Sequence, residues 1–486
     1  MRTYCYMGIH LLGDTVFSYI ITLQGAGKVL FMFQLALRRT YRAAAAASLA
    51  GGVAFALEQD QWSAHRTIVP PSLLRTFTAR CEGQADATTL LQQTASTTPL
   101  LFGWGRLVPA SGSDSAIRNH ERLPVDVTFW SSRGLRVHQM CFGTKHGAAV
   151  DDRGKLWAWS EASGPMPVQV PVRARVTSVA STDSHLYAIT SNGRVLEWKD
   201  VNGQLGLEQQ PTPLAEPKPL GGALARTRAA SMAAGAAHML VVGTAGELVA
   251  MGDNQLGQLG LGDPTALPRV EEPTLLPKLP AAATQAACGA GHSVVLLADG
   301  TCVSFGDDRN LQLGLRQCTI KEMRNGRTAV PKPEAVHQLR DRRVVAVAAG
   351  GGGIEGGHTV FLVRGGDGDE LWACGYGRWG QLGGKAFTHI SEPKPLTTLS
   401  KLRQWDEAAQ KVVAIRISAV SCGSKHTAAL LESGNVFVWG WNDKGQLGNG
   451  GRQGMHTPTM VKSPPELRFT VLRGLACGPD QTAVWT

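Results

Sequence analysis

Residues 423–448 read GSKHTAALLESGNVFVWGWNDKGQLG, and this stretch decides the fold. It opens on Gly423-x-x-His426. An apolar run, Thr-Ala-Ala-Leu-Leu, leads to a turn at Gly434. Val436–Trp439 follows, closed by Gly440, and the unit ends on Gly445-Gln446-Leu447-Gly448. Two short apolar runs split by a glycine turn read as paired strands. The unit recurs. Gly143–His146 leads to Gly154 and Leu156–Trp159, and His185 leads to Gly193, Trp198 and Gly203–Gly206. Gly235–His238 leads to Gly246, Gly252 and Gly257–Gly260, and Gly289–His292 to Gly300, Phe305-Gly306 and Leu313-Gly314. His358 leads to Trp372, Gly375 and Gly380–Gly383. The histidines are spaced by 39, 53, 54, 66 and 68 residues, a range that marks a repeat architecture. Two copies depart from the pattern. No Gly-Gln-Leu-Gly follows Trp159, and Leu311 stands where other copies have glycine.

The chain ends on CGPDQTAVW (477–485), the first half of a further unit with Gln481 in place of histidine. The missing closing strand is LFGWG (101–105), at the other end of the propeller region. Six whole units and two complementary halves make seven. A small sheet cannot bury both faces alone, whereas seven arranged radially can, leaving only short edges. The expected fold is therefore all-β: a seven-bladed propeller over 99–486, its ring closed by N- and C-terminal strands, preceded by a leader and linker.

Composition agrees. Glycine contributes 57 of 486 residues, above the usual ~7%, without a collagen period. The 43% hydrophobic content excludes a disordered chain. Net charge is +10, from 48 basic and 38 acidic residues. Nine cysteines form no Cys-x-x-Cys pair, which argues against a zinc site or a disulfide framework and suits a reducing interior.

Residues 1–57 contain Asp14 as their only acidic residue before Glu58. Arg38, Arg39 and Arg42 precede the apolar run 43–57. An arginine-rich, acid-poor start reads as an organelle leader of mitochondrial type. At 15 residues the run falls short of the ~20 needed to span a bilayer, so a single membrane anchor there is a marginal option. Polar residues 58–98 read as a linker.

The repeat resembles that of the regulator of chromosome condensation family, over roughly 99–486. The resemblance implies a seven-bladed propeller. Family functions include exchange on a Ran-type GTPase, ultraviolet reception, ubiquitin-ligase modules and mitochondrial roles. The ultraviolet receptor resembles Gly-Trp-Arg-His-Thr units, but no tryptophan precedes any repeat histidine here. That reading is set aside. The leader is more similar to mitochondrial members, with roles in respiratory-complex or ribosome assembly, or in exchange on a GTPase.

His146, His185, His238, His292, His358 and His426 occupy one place in successive units, so they form a ring rather than converging on a metal. They read as structural, bonding neighbouring strands. The glycine run 350–353 lacks Gly-Lys-Ser/Thr and a following helix pattern, so it reads as an ordinary loop rather than a phosphate loop. No catalytic, cofactor or metal constellation is found, and neither a cofactor nor a small-molecule substrate is expected. The loops after each aromatic-Gly strand share one rim and supply the candidate partner-binding residues: Asp253 and Asn254, Asp307 and Arg309, Arg378 and Trp379, and Asp443 and Lys444. Trp379 beside Arg378 is the favoured hot spot. Residues 316–343 carry eight basic and three acidic residues, among them Arg324, Arg327, Arg340, Arg342 and Arg343, a candidate contact for RNA or an acidic protein. Residues 399–416 read as a short helix. The sequence favours a protein-interaction propeller in mitochondria, at the inner membrane or in the matrix, that assembles or joins a large complex. Nucleotide exchange on a GTPase is the alternative, and RNA binding a weaker one.

Overall fold

The computed structural model describes side chains for residues 99–106, 122–160, 166–205, 214, 216–315, 329–352, 356–366, 368–384, 387–405, 410–462 and 471–486. For residues 5–35 it describes the backbone of three strands. The chain divides into two compact units, Met1–Gln93 and Thr94–Thr486. In the first unit, Cys5–Leu11, Phe17–Leu23 and Leu30–Leu35 pair antiparallel in chain order. The basic cluster at 38–42, the apolar run 43–57 and the linker 58–98 lie outside the described residues. No helix among the described residues is long and apolar enough to cross a membrane.

The second unit is the seven-bladed ring that the repeats predict. Each blade is a four-stranded antiparallel sheet with strands in chain order. The first blade runs Val137–Phe142, His146–Asp151, Leu156–Ser160, Val168–Val170. The second runs Val176–Ser181, Leu186–Thr190, Val195–Trp198, Lys218–Pro219, and the third Ala229–Ala234, His238–Gly243, Leu248–Asp253, Arg269–Leu275. The fourth is Ala283–Cys288, His292–Leu297, Cys302–Asp307, Ala329–Ala335, and the fifth Val344–Gly352, Glu355–Gly365, Gly368–Gly375, Ile390–Pro395. The sixth is Ile417–Cys422, His426–Leu431, Val436–Gly440, Met455–Met460. The seventh joins the two ends: Gly474–Cys477 and Gln481–Trp485 continue into Leu101–Gly105 and Glu121–Asp126. The register pairs Gln481 with Gly105 and Trp485 with Leu101.

The core lies in the seams between blades. Leu430 and Val436 of the sixth blade pack with Phe102 and Trp104 of the seventh. Val360 and Leu371 of the fifth meet Ile417 and Trp439 of the sixth. Every seam holds such a cluster. The leucine of Gly-Gln-Leu-Gly serves it: Leu259, Leu313, Leu382 and Leu447 are buried.

The repeat's polar residues form a clip across each regular seam. His238 Nε2 lies 2.9 Å from Ser293 Oγ of the next blade, and that hydroxyl donates to the Gln258 carbonyl at 2.8 Å. The hydroxyl has one proton, so it must accept from the ring, which assigns the Nε2–H tautomer. His292 with Thr359 and Gln312, His358 with Thr427 and Gln381, and His426 with Thr482 and Gln446 repeat the arrangement at 2.7–3.0 Å. Trp439 and Trp104 donate their indole N–H to the same carbonyls, of Gln381 and Gln446, at 2.8 Å. The glutamine side chain closes its own turn, Gln446 Oε1 accepting from Lys444 N at 2.9 Å.

Two glycine positions make room for this clip. A Cβ at Gly423 would stand 2.3 Å from His426 Cε1 and 2.4 Å from the Gly478 carbonyl. Gly440, paired with His426 in a bulged ladder, has φ +115°, and a Cβ there would meet the Lys425 carbonyl at 2.5 Å.

Two expectations need correction. The segment expected as a short helix is a single helical turn, Thr397–Ser400, followed by a hairpin of Arg403–Asp406 and Lys411–Ala414. Trp405 faces Val412 across it, and the β-branched Val412–Val413 pair suits a strand better than a helix. The glycine run expected as a loop extends the hairpin of the fifth blade, Gly350 pairing with His358 and Gly352 with Glu355. The six described cysteines are free thiols.

Burial pushes the imidazole pKa down to about 3 at His238, His292 and His426. At His358 it is about 4, where the Gly356 carbonyl, 3.0 Å from Nδ1, offsets part of the burial effect. These rings are neutral when folded and protonate on unfolding below pH 6.5. Stability is therefore full above pH 6.5 and is lost as pH falls toward 4, at roughly 1.4 kcal/mol per pH unit for each ring. Melting temperatures measured at pH 7, 6 and 5 should fall progressively. His426→Gln, which copies Gln481, should make that fall shallower by about one proton's worth, and an unchanged slope would refute the assignment. Trp439→Phe removes one donor from the Gln381 carbonyl and should cost about 1–2 kcal/mol in urea unfolding. Gly440→Ala should cost more than about 2 kcal/mol, through the carbonyl clash and the left-handed backbone.

Candidate functional site

The chain direction places every histidine turn, and every loop after an aromatic-Gly strand, at the same end of its blade. The proposed rim residues therefore share one face of the ring. Their exposure differs. Asn254 is fully buried: its Oδ1 accepts from Leu259 N at 3.0 Å and its Nδ2 donates to the Leu267 carbonyl at 2.8 Å. It is a turn-closing residue, and the expectation that it meets a partner is corrected. Asn442 does the same work for Leu447, at 2.9 Å. Asp307 is also buried and takes Arg309 in a two-point ion pair, Nε to Oδ1 at 2.8 Å and Nη2 to Oδ2 at 3.0 Å. Asp253 accepts from Gln258 Nε2 at 2.6 Å. Asp443 and Lys444 form a partly exposed pair at 3.3 Å. A neighbouring ion pair of this kind contributes little to stability and leaves both groups open to a partner.

The fifth and sixth blades carry a rim feature with aromatic surface. Trp379 is half-buried and packs edge-on against Trp441, with ring centroids 4.4 Å apart. Lys425 Nζ lies 4.9 Å over the Trp379 ring, and Tyr376 stands 6.4 Å away. The Trp379 indole N–H has no hydrogen-bond partner among the described residues. Arg378 beside it is exposed. Trp379 thus packs across a seam, its indole nitrogen buried, while part of the side chain remains exposed. The backbone of its loop is held by Gln381, whose Oε1 accepts from Trp379 N at 3.1 Å. Lys425 and Trp441 were not singled out in the sequence. Trp441 was signalled by position, since it follows Gly440 as Tyr376 follows Gly375.

The described end of the basic segment, residues 340–343, lies at the opposite end of the blades. Arg340, Arg342 and Arg343 are exposed, just before strand Val344–Gly352. Arg342 is partly engaged, its guanidinium 5.1 Å over the Trp372 ring. Arg324 and Arg327 lie outside the described residues. Two distinct surfaces result: an aromatic and cationic one at the histidine end, and an arginine-rich one at the other.

Among the described residues no cluster of metal-ligating side chains is found. The buried thiols are far from reactive, burial pushing Cys141, Cys288 and Cys477 up to about 12.

The regulator of chromosome condensation (RCC1) repeat model matches residues 245–296, 368–430 and 433–485, and a second model of that repeat matches 283–312 and 417–446. The human E3 ubiquitin-protein ligase HERC2 is 27% identical over 371 residues, 72% of this chain and 7% of the ligase. The Arabidopsis thaliana ultraviolet-B receptor UVR8 is 27% identical over 383 residues, 75% of this chain and 78% of the receptor. The structure of Prp20p from Saccharomyces cerevisiae, described with its binding to Gsp1p and histones, superposes with a TM-score of 0.62 at 20% identity, covering 80% of this chain and 92% of that one. The chain spans a small fraction of the ligase, and the likeness to Prp20p is one of fold. The repeat matches agree with the clip of the regular seams: the chain carries regulator of chromosome condensation (RCC1) repeats, folded as a seven-bladed propeller.

Proposed function

We propose that this propeller is a non-catalytic protein-binding module of mitochondria, which assembles or sits within a large complex at the inner membrane or in the matrix. One observation carries the binding role: the Arg378, Trp379, Trp441 and Lys425 cluster. It combines the residue types that dominate interface energetics on a rigid rim. The mitochondrial part rests on the arginine-rich, acid-poor composition of residues 1–57. Affinity purification of the tagged full chain from isolated mitochondria tests both parts. A stable set of co-purifying proteins is expected, depleted several-fold by Trp379→Ala with Arg378→Glu. Absence of the chain from the mitochondrial fraction overturns the location. An unchanged partner set in the double variant overturns the surface.

The second reading is nucleotide exchange on a GTPase. Its support is the shared fold with a propeller described as binding Gsp1p and histones. Exchange requires a rim that distorts a nucleotide site and no catalytic triad of its own. Release of labelled GDP from candidate GTPases, with the propeller at micromolar concentration, should then rise at least about tenfold, a barrier change of about 1.4 kcal/mol. No acceleration sinks this reading and leaves the first standing.

A further inference from the structure

The clip is absent between the second and third blades, and what replaces it is polar. Met239 follows His238 where the next four blades have Ser293, Thr359, Thr427 and Thr482, so His185 has no hydroxyl to meet across the seam. Lys199 follows Trp198 where five blades have glycine. Two residues beyond the histidine, the strand position and its cross-strand partner are small or apolar in most blades, as in Leu240 with Ala250, Val360 with Ala373 and Ala428 with Val438. In the second blade this pair is Tyr187 with Glu197. Both are buried and Tyr187 packs toward the third blade.

These substitutions open a cleft of about 60 Å³, with Tyr187, Glu197 and His185 inside and Lys199, Arg269 and Glu271 around the mouth. It is far too small for a nucleotide, whose sites run to several hundred Å³. It has room for the head of one side chain.

The charges decide which head fits. Arg269 is held by Glu271 on its own strand. The Glu197 carboxylate is 5% exposed, and its nearest cation is Lys199 Nζ at 4.0 Å, the outer limit of an ion pair. Lys199 is itself 57% exposed. Tyr187 sits directly across the strand from Glu197, and burial first, then this carboxylate, holds its phenol well above the usual range. A carboxylate offers about four acceptor sites, so a buried one with these neighbours retains capacity for charged donors. Burial pushes the His185 imidazole pKa down, which keeps it neutral and adds no competing charge.

We infer that the seam between the second and third blades is a socket for the cationic head of a lysine or arginine side chain supplied by a partner protein, with Glu197 as its counter-ion. The incoming cation displaces the loosely held Lys199 ammonium toward solvent. This socket does not depend on the mitochondrial reading or on the Trp379 surface.

Calorimetric titration of the full chain with three blocked tripeptides tests it: Ac-Gly-Arg-Gly-NH2, Ac-Gly-Lys-Gly-NH2 and Ac-Gly-Glu-Gly-NH2. The two basic peptides should bind with Kd on the order of 1 mM, as a single anchoring group would. The arginine and lysine arms show which head is preferred. Lys199→Met removes an exposed competitor, leaves the core intact, and should tighten both several-fold. Glu197→Gln should weaken them about tenfold. Preference for the acidic peptide, no binding by any peptide, or unchanged affinity in Lys199→Met each overturns the socket.

Discussion

Neighbouring blades are joined at a carbonyl oxygen, that of the glutamine in Gly-Gln-Leu-Gly. A carbonyl has two lone pairs, and at Gln381 and Gln446 both are filled from the next blade, by a threonine hydroxyl and a tryptophan N–H. The hydroxyl spends its proton there and must accept from the histidine of the preceding blade. The histidine ring then fills the space beside Gly423, and the backbone that carries it fills the space beside Gly440, so neither position has room for a side chain. Most residues that define the repeat can be traced to this one oxygen. Buried polar groups cost free energy when unmatched, so the set persists as a whole or changes as a whole.

That dependence explains what the sequence could disclose. Histidine, the two glycines and Gln-Leu-Gly recur because each is locked to the clip, and their recurrence alone yields seven blades and the join between residues 101–105 and 481–485. The leucines were legible as core for the same reason. Tertiary fit can also override a missing letter. Leu311 adopts φ +65°, in the region where Gly257, Gly380 and Gly445 sit at +75° to +82°, because the turn is imposed by its surroundings.

The rim was less legible, since its polar letters have two uses. Asn254 and Asp307 look like surface residues in a turn, yet their oxygens close that turn from inside. Arg378 and Trp379 have no such duty and remain at the surface. Their companions Lys425 and Trp441 come from the next blade, more than 45 residues along the chain, so no local pattern could unite them. The hairpin of residues 403–414 escaped for a different reason. It lies between blades, outside the repeat, and its mixed composition carries a helical and a strand reading at once.

Three seams lose the clip, and they lose it differently: between the first and second blades Leu186 stands at the hydroxyl position, and His146 bonds Ser181 Oγ and Asn202 Oδ1 instead. Between the seventh and first blades, Gln481 replaces histidine and Gly147 replaces the hydroxyl residue. Trp159 fills the space over Gly147, and Trp130, Phe129 and Trp157 pack edge to face in the same cluster. The lost polar contacts are made good by apolar packing, which is what selection for stability alone produces. Between the second and third blades Met239 and Tyr187 enter the seam, and no tryptophan among the described residues closes it. A buried carboxylate and a phenol line a small cleft there instead. A fold that can fill one such gap with tryptophan has no structural need to leave the other polar. The contrast between these last two seams, more than either alone, marks the latter as a place kept for a ligand.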